Sequence, residues 1–431
     1  MLHIVLGIIT VVFCFYLVFK LTTKLNLNLS FGFIGAAYSV RILFGIALTL
    51  IYTYYYPNRT LADTFRYFDD SVFLHLLLHE NLSDYFHVMI GWKAEERTAI
   101  PLLEGMTNWY PALRSPLYND NRTVIRINSI LRWFSFGSYY VHMVLFSFAG
   151  FVGQMYFFKA FQKYFKGKET WLGAAVFLIP SLIFWTSGIL KEGLLFLALG
   201  YLLYIVEKVS REGINVKSSV IILLLFFFLF HMKFYVGLML LPIFSMYWMF
   251  IKWQYIARWK LILANYLSYF LAALVWHMIR FKWSLFTVFK WKKKDFEGLG
   301  ESMDARSMIK TYDLEDNPLS FLLNIPQGLF NSLFRPFVWE AYSPLIVIPA
   351  LENIFLLVFM AFCFSFRSKV RASDIGLCFL MYALTLLIVV GMVTPIMGSL
   401  VRYKIPALPF LMMFFIGIVD VEKVKGLFRK A

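Results

Sequence analysis

The stretch FGFIGAAYSVRILFGIALTLIYTYYY (31–56) is an unbroken run of 26 residues that contains one charged side chain, Arg41. About 20 predominantly apolar residues suffice for an α-helix to cross the hydrocarbon core of a bilayer. The run therefore predicts a membrane-spanning helix. It ends just before LADTFRYFDD (61–70), which holds three carboxylates and one arginine. An acidic segment directly after a membrane exit is placed to act at the lipid surface.

The composition predicts a polytopic membrane protein. The chain is 60% hydrophobic, 20% aromatic and 15% charged, with a mean hydropathy of +0.69. These values lie far outside the usage of soluble globular proteins. The net charge of +16 comes from Lys and Arg in short runs between apolar segments, a pattern typical of cytoplasmic membrane loops. We therefore expect membrane lipids as partners, and no nucleic acid.

The cysteines and the N-terminus fit the same class. Cys14, Cys363 and Cys378 lie inside apolar runs and lack metal-site spacing, so we interpret them as packing residues. The N-terminus has no basic region ahead of its apolar run and no A-x-A cleavage site. It therefore predicts a retained first helix.

The length rule predicts an all-α single transmembrane domain over 1–431 with about eleven spans. The predicted spans are 2–19, 31–56, 138–158, 171–187, 189–206, 218–232, 234–250, 261–279, 344–366, 374–394 and 404–421. Arg41 and His142 are the ionisable residues expected well inside them.

Short loops predict the orientation of the chain. Six of them carry two to four Lys or Arg residues each, and in an eleven-span topology all six fall on the cytoplasmic side. These loops are 20–24, 159–168, 207–217, 251–260, 367–371 and 423–430. Two long loops, 57–137 and 280–343, are then external. Amphipathic segments within them, 71–87, 124–136 and 319–334, predict helices that lie in the membrane interface.

Polar residues at helix ends form five candidate sites on the external side. Ionisable groups in such settings are costly and usually functional. The sites are Asp63–Asp70 with Arg66, Lys191-Glu192, His231-Met232-Lys233, Arg335 with Glu340, and Arg402-Tyr403-Lys404. Carboxylates can take a proton from a hydroxyl, and Arg or Lys can clamp a phosphate. The combination suits transfer from a phosphorylated lipid donor to a hydroxyl, although each site could equally be a solvated helix end.

The acidic cluster leaves several interpretations open. Asp63 and Asp70 are seven residues apart and would share a helix face, with Arg66 between them as an ion-pair partner or a substrate contact. The carboxylates could instead bind a divalent cation. His75 and His79 are four apart, but further ligands at metal-site spacing are lacking.

The segment PSLIFWTSGILKE (180–192) predicts a broken span. Pro180 and Gly188 interrupt two apolar runs and free backbone groups near the bilayer surface. Such breaks are tolerated where they are buried in protein or line a wet cavity. We therefore favour a cavity role for Lys191 and Glu192 over a pair that merely extends to the interface.

Four segments together resemble known membrane proteins. ADTFRYFDD (62–70), after an early apolar helix, is similar to the first external loop of GT-C-fold glycosyltransferases. PSLIFWTSGILKEG (180–193), LFRPFVWEAYSPLIVIPALEN (333–353) and GSLVRYKIPALPFL (398–411) look like segments of bacterial surface-polysaccharide membrane proteins of the Bacteroidetes type. The chain departs from the common GT-C layout by one extra helix before the acidic loop. It also lacks the adjacent Asp-Glu pair of several such families.

The resemblance implies a GT-C-like glycosyltransferase at the external face of a bacterial inner membrane. It would transfer a sugar, with inversion, from a polyprenyl-phosphate-linked donor to a lipid-linked glycan acceptor. The resemblance makes Asp69, Asp63 or Asp70 the base. Arg402, Tyr403 and Lys404 become phosphate contacts, supported by Lys191, Arg335, Arg66 and Lys233. The alternatives are a polysaccharide polymerase or ligase and, from another class, a transporter or lipid flippase.

The predicted orientation can be tested by cysteine labelling. Single cysteines at Lys163, Lys369, Asp69 and Arg402, in a chain whose three natural cysteines are replaced, are exposed to an impermeant maleimide on the periplasmic side. We expect labelling at 69 and 402 and none at 163 or 369, because the positively charged loops stay cytoplasmic. Labelling at 163 without labelling at 69 would invert the topology.

Overall fold

Long apolar runs of the sequence become α-helices in the computed structural model, which describes residues 1–56, 58–92, 100–110, 119–279, 284–302, 305, 307–369 and 372–428. The prediction of an all-α chain is confirmed for these residues, where extended pairing is limited to two isolated bridges. The chain divides into two compact units, Met1–Phe234 and Tyr235–Ala431.

The first unit contains ten complete helices and most of an eleventh among the residues described. They are α1 (Leu2–Leu25), α2 (Phe31–Leu50), α3 (Asp63–Glu80), α4 (Leu82–Ile90), α5 (Ile100–Glu104), α6 (Asn121–Ser135), α7 (Tyr139–Phe161), α8 (Glu169–Phe177), α9 (Pro180–Thr186), α10 (Lys191–Glu212) and α11 (Val216–Leu238). The unit boundary falls within α11, just after Lys233, whose backbone is extended and interrupts the helix. Short π and 3-10 turns extend α2 at Ile51–Tyr55 and α7 at Gln162–Phe165.

The second unit contains nine further helices in the described part of the chain. They are α12 (Leu241–Lys252), α13 (Arg258–Met278), α14 (Leu285–Ser302), α15 (Pro318–Phe334), α16 (Pro344–Ser365), α17 (Asp374–Val393), α18 (Met397–Lys404), α19 (Leu408–Ile418) and α20 (Val421–Phe428). A 3-10 turn, Val338–Glu340, lies between α15 and α16.

The structure supports fewer spans than the eleven predicted. Eight helices of the described chain are long and apolar enough to cross a membrane, or up to ten if two bent helix pairs each count as one span. The pairs are α8 with α9, bent by 49°, and α18 with α19, bent by 56°. The predicted span 234–250 is not one helix. It is the end of α11 followed by the 12-residue α12. At 1.5 Å per residue, 12 residues reach about 18 Å, well short of a bilayer core.

The helices predicted for the long loops exist, with shifted boundaries. Segment 71–87 belongs to two helices, α3 and α4, which meet at Asn81. The Asn81 side chain accepts a hydrogen bond from the Asp84 amide and so caps α4. Segments 124–136 and 319–334 correspond to α6 and α15. Their position in a membrane interface stays a prediction.

Two glycines bring α7 and α10 into backbone contact in the first unit. A Cβ atom added at Gly200 would overlap the Gly153 carbonyl oxygen, and one added at Gly153 would overlap the Phe196 carbonyl. Small residues permit this approach between apolar helices, where packing replaces the hydrophobic drive that operates in water. The contact fixes α10, and therefore Lys191 and Glu192 at its start.

The second unit repeats this device between α15 and α17. A Cβ atom at Gly391 would overlap the Gly328 carbonyl oxygen, and one at Gly328 would come within 2.6 Å of the Ile388 carbonyl oxygen. The contact fixes the two helices whose C-terminal ends lead to Arg335 and to Pro395.

The loops predicted to be cytoplasmic lie together within each unit. In the first unit, Lys159 Nζ donates to the Asn26 carbonyl, and Lys163 forms an ion pair with Glu207 at 2.5 Å. In the second, Arg258 pairs with Asp374 at 2.7 Å, and Lys423 Nζ donates to the Arg367 carbonyl. Lys163 with Glu207, and Lys423 with Arg367, thus link two of these predicted loops in each unit, whereas the alternating topology and its cytoplasmic side stay predictions.

Glycine replacement tests the helix contact. Gly200→Ala should lower the thermal midpoint of the protein in detergent, because the added methyl forces α7 and α10 apart. Overpacking of this kind typically costs about 1–3 kcal/mol. Gly398→Ala is the matched control, since a Cβ atom there meets nothing within 4 Å in a helix of the same chain. We expect no loss at 398, and an unchanged midpoint for Gly200→Ala would contradict the contact.

Candidate functional site

The three carboxylates of the acidic cluster have different surroundings, because successive helical residues point about 100° apart. All three lie on α3. Asp63 is its first residue and is half-buried, so its charge is favourably placed at the positive end of the helix dipole. Asp69 accepts two hydrogen bonds from Arg59, both at 2.7 Å, and its side chain is 44% exposed. The ion pair raises the pKa of Arg59.

Asp70 is buried and ties α3 to the segment that follows α5. Its carboxylate accepts hydrogen bonds from the Thr107 amide at 2.9 Å, the Thr107 hydroxyl at 3.2 Å and the Asn108 amide at 2.7 Å. Arg66 donates to the carbonyl and hydroxyl oxygens of the same threonine. Burial nevertheless raises the pKa of Asp70 above its usual value, against these hydrogen bonds and the nearby Arg66 charge. Asp70 and Arg66 therefore act together on one backbone segment.

Two ion pairs stand at the start of α10, and the pair between Lys233 and Glu192 is buried on both sides. Lys191 Nζ lies 2.6 Å from Asp120, and Lys233 Nζ lies 2.6 Å from Glu192. Lys191 and Lys233 are each less than one-tenth exposed, and Glu192 is fully buried. A buried charge is tolerated when it is paired and hydrogen-bonded. The break in α11 at Lys233 is therefore stabilised by a carboxylate on α10.

Tyr67 connects these ion pairs to the acidic helix α3. The Lys191 ammonium lies 5.9 Å from the centre of the Tyr67 ring, and the Tyr67 hydroxyl donates to Asn121 at 2.9 Å. The structure thus brings three of the five predicted sites together in the first unit. Sequence reasoning missed Asp120 and Asn121. Their signal was the polar run Asn119-Asp120-Asn121 directly before the amphipathic segment.

The second unit contains a pocket of about 320 Å³ that includes the predicted Arg335 and Glu340. Residues 307–309 form one wall, where the Ile309 amide donates to the Pro395 carbonyl at 2.7 Å and the Met397 amide donates to the Ser307 carbonyl at 3.0 Å. The full lining is Ser307, Met308, Ile309, Lys310, Arg335, Glu340, Tyr342 and Met397. Lys310 and Tyr342 were not predicted.

Lys404 is buried and bonds to the backbone of Arg335, a residue of the pocket lining. Its ammonium donates to the Ser332 carbonyl at 3.1 Å, the Arg335 carbonyl at 3.1 Å and the Asn353 side chain at 2.8 Å. An ammonium has three donors, so these bonds use its capacity. In this structure Lys404 positions the backbone of Arg335, and its expected phosphate contact stays a prediction.

The remaining predicted residues of this group lie on α18. Arg402 and Tyr403 are half-buried. The Tyr403 ring stacks on Tyr235 at 5.9 Å and meets the edge of Phe296 at 5.1 Å. Tyr403 therefore packs within the second unit, and the phosphate contacts expected of both residues stay predictions.

One sequence expectation about charge inside the spans is wrong. Besides Arg41 and His142, Glu352 lies well inside a predicted span, at the ninth position of α16, and is buried. It interacts electrostatically with Lys404. The carboxylate thus offsets part of the buried ammonium charge.

Metal ligands do not gather in the part of the chain that the structure describes. No group of three or more His, Cys, Asp or Glu residues there could hold a metal ion. The His75 and His79 rings are 5.1 Å apart, edge to face.

Comparison with family models, with curated proteins and with solved structures finds no match to this chain. The site therefore has to be interpreted from its own geometry.

Asp70→Asn tests the buried carboxylate. The amide keeps one acceptor oxygen and turns an NH2 group toward backbone donors, so we expect a loss of about 1–3 kcal/mol in the free energy of unfolding. Asp69→Asn is the matched control. It should lower the free energy of unfolding by less, because exposed ion pairs contribute only about 0–1 kcal/mol to stability.

The raised pKa of Asp70 predicts that the stability lost in Asp70→Asn depends on pH. Because burial raises the pKa of Asp70, the folded chain binds this proton more readily than the unfolded chain, whose value is near 3.8. The stability contributed by Asp70 is therefore largest below that value and falls as the pH rises through the folded pKa. The difference in thermal midpoint between wild type and Asp70→Asn should shrink as the pH rises from about 4 to 7. A difference that grows with pH would show that the hydrogen bonds outweigh burial.

Proposed function

We propose that this protein is an integral membrane glycosyltransferase of GT-C-like architecture in the bacterial inner membrane. It transfers a sugar from a polyprenyl-phosphate-linked donor to a lipid-linked glycan acceptor at the external face, in cell-surface polysaccharide assembly. The observation that carries the proposal is the pocket of the second unit, which places two cations and a carboxylate around one cavity.

Arg335 is the group best suited to hold the donor phosphate. Its Nε atom is buried and makes no hydrogen bond within the described residues, and it lies 3.5 Å from Glu340 Oε1. A guanidinium presents a planar fork of donors that matches two phosphate oxygens. Lys310 adds a second positive charge to the same lining. Together they would stabilise the charge that develops on the leaving phosphate.

The chemistry requires a carboxylate base as well as this clamp. The base removes the proton of the acceptor hydroxyl as that oxygen attacks the anomeric carbon. The bond from carbon to phosphate oxygen breaks, and the phosphate leaves with the electron pair. Asp69 is the first choice for the base, followed by Asp63 and Asp70. Glu340, which lines the pocket itself, is a further carboxylate to be tested.

A polysaccharide polymerase or ligase would use the same clamp and base. Product length distinguishes the two, because a transferase adds one sugar whereas a polymerase makes a ladder of products.

A transporter or flippase is the second candidate class, favoured by the buried Glu192–Lys233 pair at the break in α11. Transporter sites are commonly built where discontinuous helices meet near the bilayer midplane.

Arg335→Ala tests the phosphate clamp in an assay with purified protein and lipid-linked donor. We expect the donor KM to rise about 10- to 100-fold, because a hydrogen-bonded charge pair contributes roughly 1.5–3 kcal/mol. Arg402→Ala should act in the same direction, with partial recovery in Arg402→Lys. Arg367→Ala is the matched control, since Arg367 is exposed and lies at the predicted cytoplasmic end. A donor KM that stays at the wild-type value in Arg335→Ala would remove the pocket from the mechanism.

Amide replacements identify the base. Asp63→Asn, Asp69→Asn, Asp70→Asn and Glu340→Gln are each assayed with and without chelator. One variant should lose about 10²–10⁴-fold in turnover, the usual contribution of a positioned acid–base group, while still binding donor. If the cluster holds a divalent cation instead, chelator silences the wild type and no single amide stands out. Full activity in all four variants would leave the proposed mechanism without a base.

A further inference from the structure

The turn between α15 and α16 carries a stacked pair of aromatic rings, of which Trp339 is exposed. Phe337 and Trp339 stack with centroids 4.6 Å apart and planes only 7° from parallel. Trp339 is 82% exposed, although one face of its ring lies on Phe337. Stacking on Phe337 therefore holds the Trp339 ring flat and leaves its other face open.

Hydrogen bonds hold the two rings in place. Glu340 Oε2 accepts from the Phe337 amide at 3.0 Å, and the Glu340 amide donates to the Phe337 carbonyl at 3.0 Å. The Asn353 side chain on α16 donates to the Pro336 carbonyl at 3.4 Å. The aromatic pair is thus fixed before any ligand arrives, which reduces the entropy cost of binding.

The same eight residues, 335–342, supply both the rings and one side of the pocket. Arg335, Glu340 and Tyr342 line the cavity, while Phe337 and Trp339 lie between Arg335 and Glu340 in the chain, outside the lining itself. The cavity of about 320 Å³ is at the small end of the range for ligand pockets, roughly 300–1,000 Å³.

We infer that residues 335–342 form a carbohydrate subsite, in which a sugar ring of the glycan acceptor stacks on Trp339. Its hydroxyl groups bond to Glu340 and to the other polar groups of the pocket. A sugar ring presents an apolar face of C–H groups and a rim of hydroxyls. The turn offers the complementary pair: a flat aromatic surface, and a carboxylate, a lysine and a tyrosine hydroxyl. The inference rests on the proposed function for its choice of a glycan.

The principal alternative occupant is the bilayer interface, where exposed tryptophans also occur. An interfacial anchor needs an apolar ring beside the headgroups. It does not need the ring stacked at 7°, nor a carboxylate fixed beside it. These two features favour a sugar.

The test measures carbohydrate binding by the full chain in detergent, with no lipid-linked donor present. An array of defined bacterial oligosaccharides selects the ligand, and the oligosaccharide with the strongest signal is then titrated in solution. Trp339→Leu should weaken binding roughly five- to tenfold, because leucine keeps the apolar character but not the flat face. Glu340→Gln should weaken it as well. Trp259→Leu is the matched control, since Trp259 is 64% exposed on α13 of the same unit.

Three outcomes overturn the inference: no glycan binding by the wild type, equal losses for Trp339→Leu and Trp259→Leu, or a Trp339→Leu variant that changes only the affinity for lipid vesicles. The thermal midpoint of each variant confirms that it is folded. Glycan binding that depends on Trp339 without detectable sugar transfer would support the subsite and contradict the proposed function. Normal sugar transfer with an unchanged acceptor KM in Trp339→Leu would support the proposed function and contradict the subsite.

Discussion

Backbone contact between paired helices is the constraint on which the rest of this structure depends. Gly153 and Gly200 allow α7 and α10 to touch, and Gly328 and Gly391 do the same for α15 and α17. Between helices that are apolar all round, burial alone specifies neither partner nor register, whereas interlocking shape does. Each contact also fixes a polar group: α10 begins at Lys191, and α15 leads into Arg335.

The broken spans follow from the need to satisfy every backbone polar group away from water. At the end of α9, the Arg41 side chain donates to the Thr186 carbonyl, the Ser147 carbonyl and the Gln154 side chain. The buried guanidinium thereby donates hydrogen bonds to carbonyl groups that water would satisfy in a soluble protein. Lys404 does the same for carbonyls beside the pocket. In both cases a charged side chain of a predicted span has a structural task in the fold.

This double use of charged side chains bears on the proposed chemistry. Glu340 orders the aromatic turn through the Phe337 amide while facing the cavity, and Asp70 orders the segment after α5 while belonging to the predicted catalytic cluster. Loss of activity after replacement of either residue would therefore combine a structural and a chemical effect. Asp69 is the more informative carboxylate, because it is partly exposed and accepts its two hydrogen bonds from the side chain of Arg59, not from backbone amides.

The sequence by itself determined the all-α class and the approximate position of most of the long apolar helices. Apolar run length, the break at Pro180 and charge placement are local properties that need no knowledge of packing. Only the tertiary structure decided that Lys191 pairs with Asp120, which is 71 positions away, and that 234–250 is not one span. It also decided that Lys404 faces inward. Such pairings depend on which helices are in contact. These helices are almost uniformly hydrophobic, so hydropathy does not predict which of them pack together. The close glycine contacts determine the helix pairs.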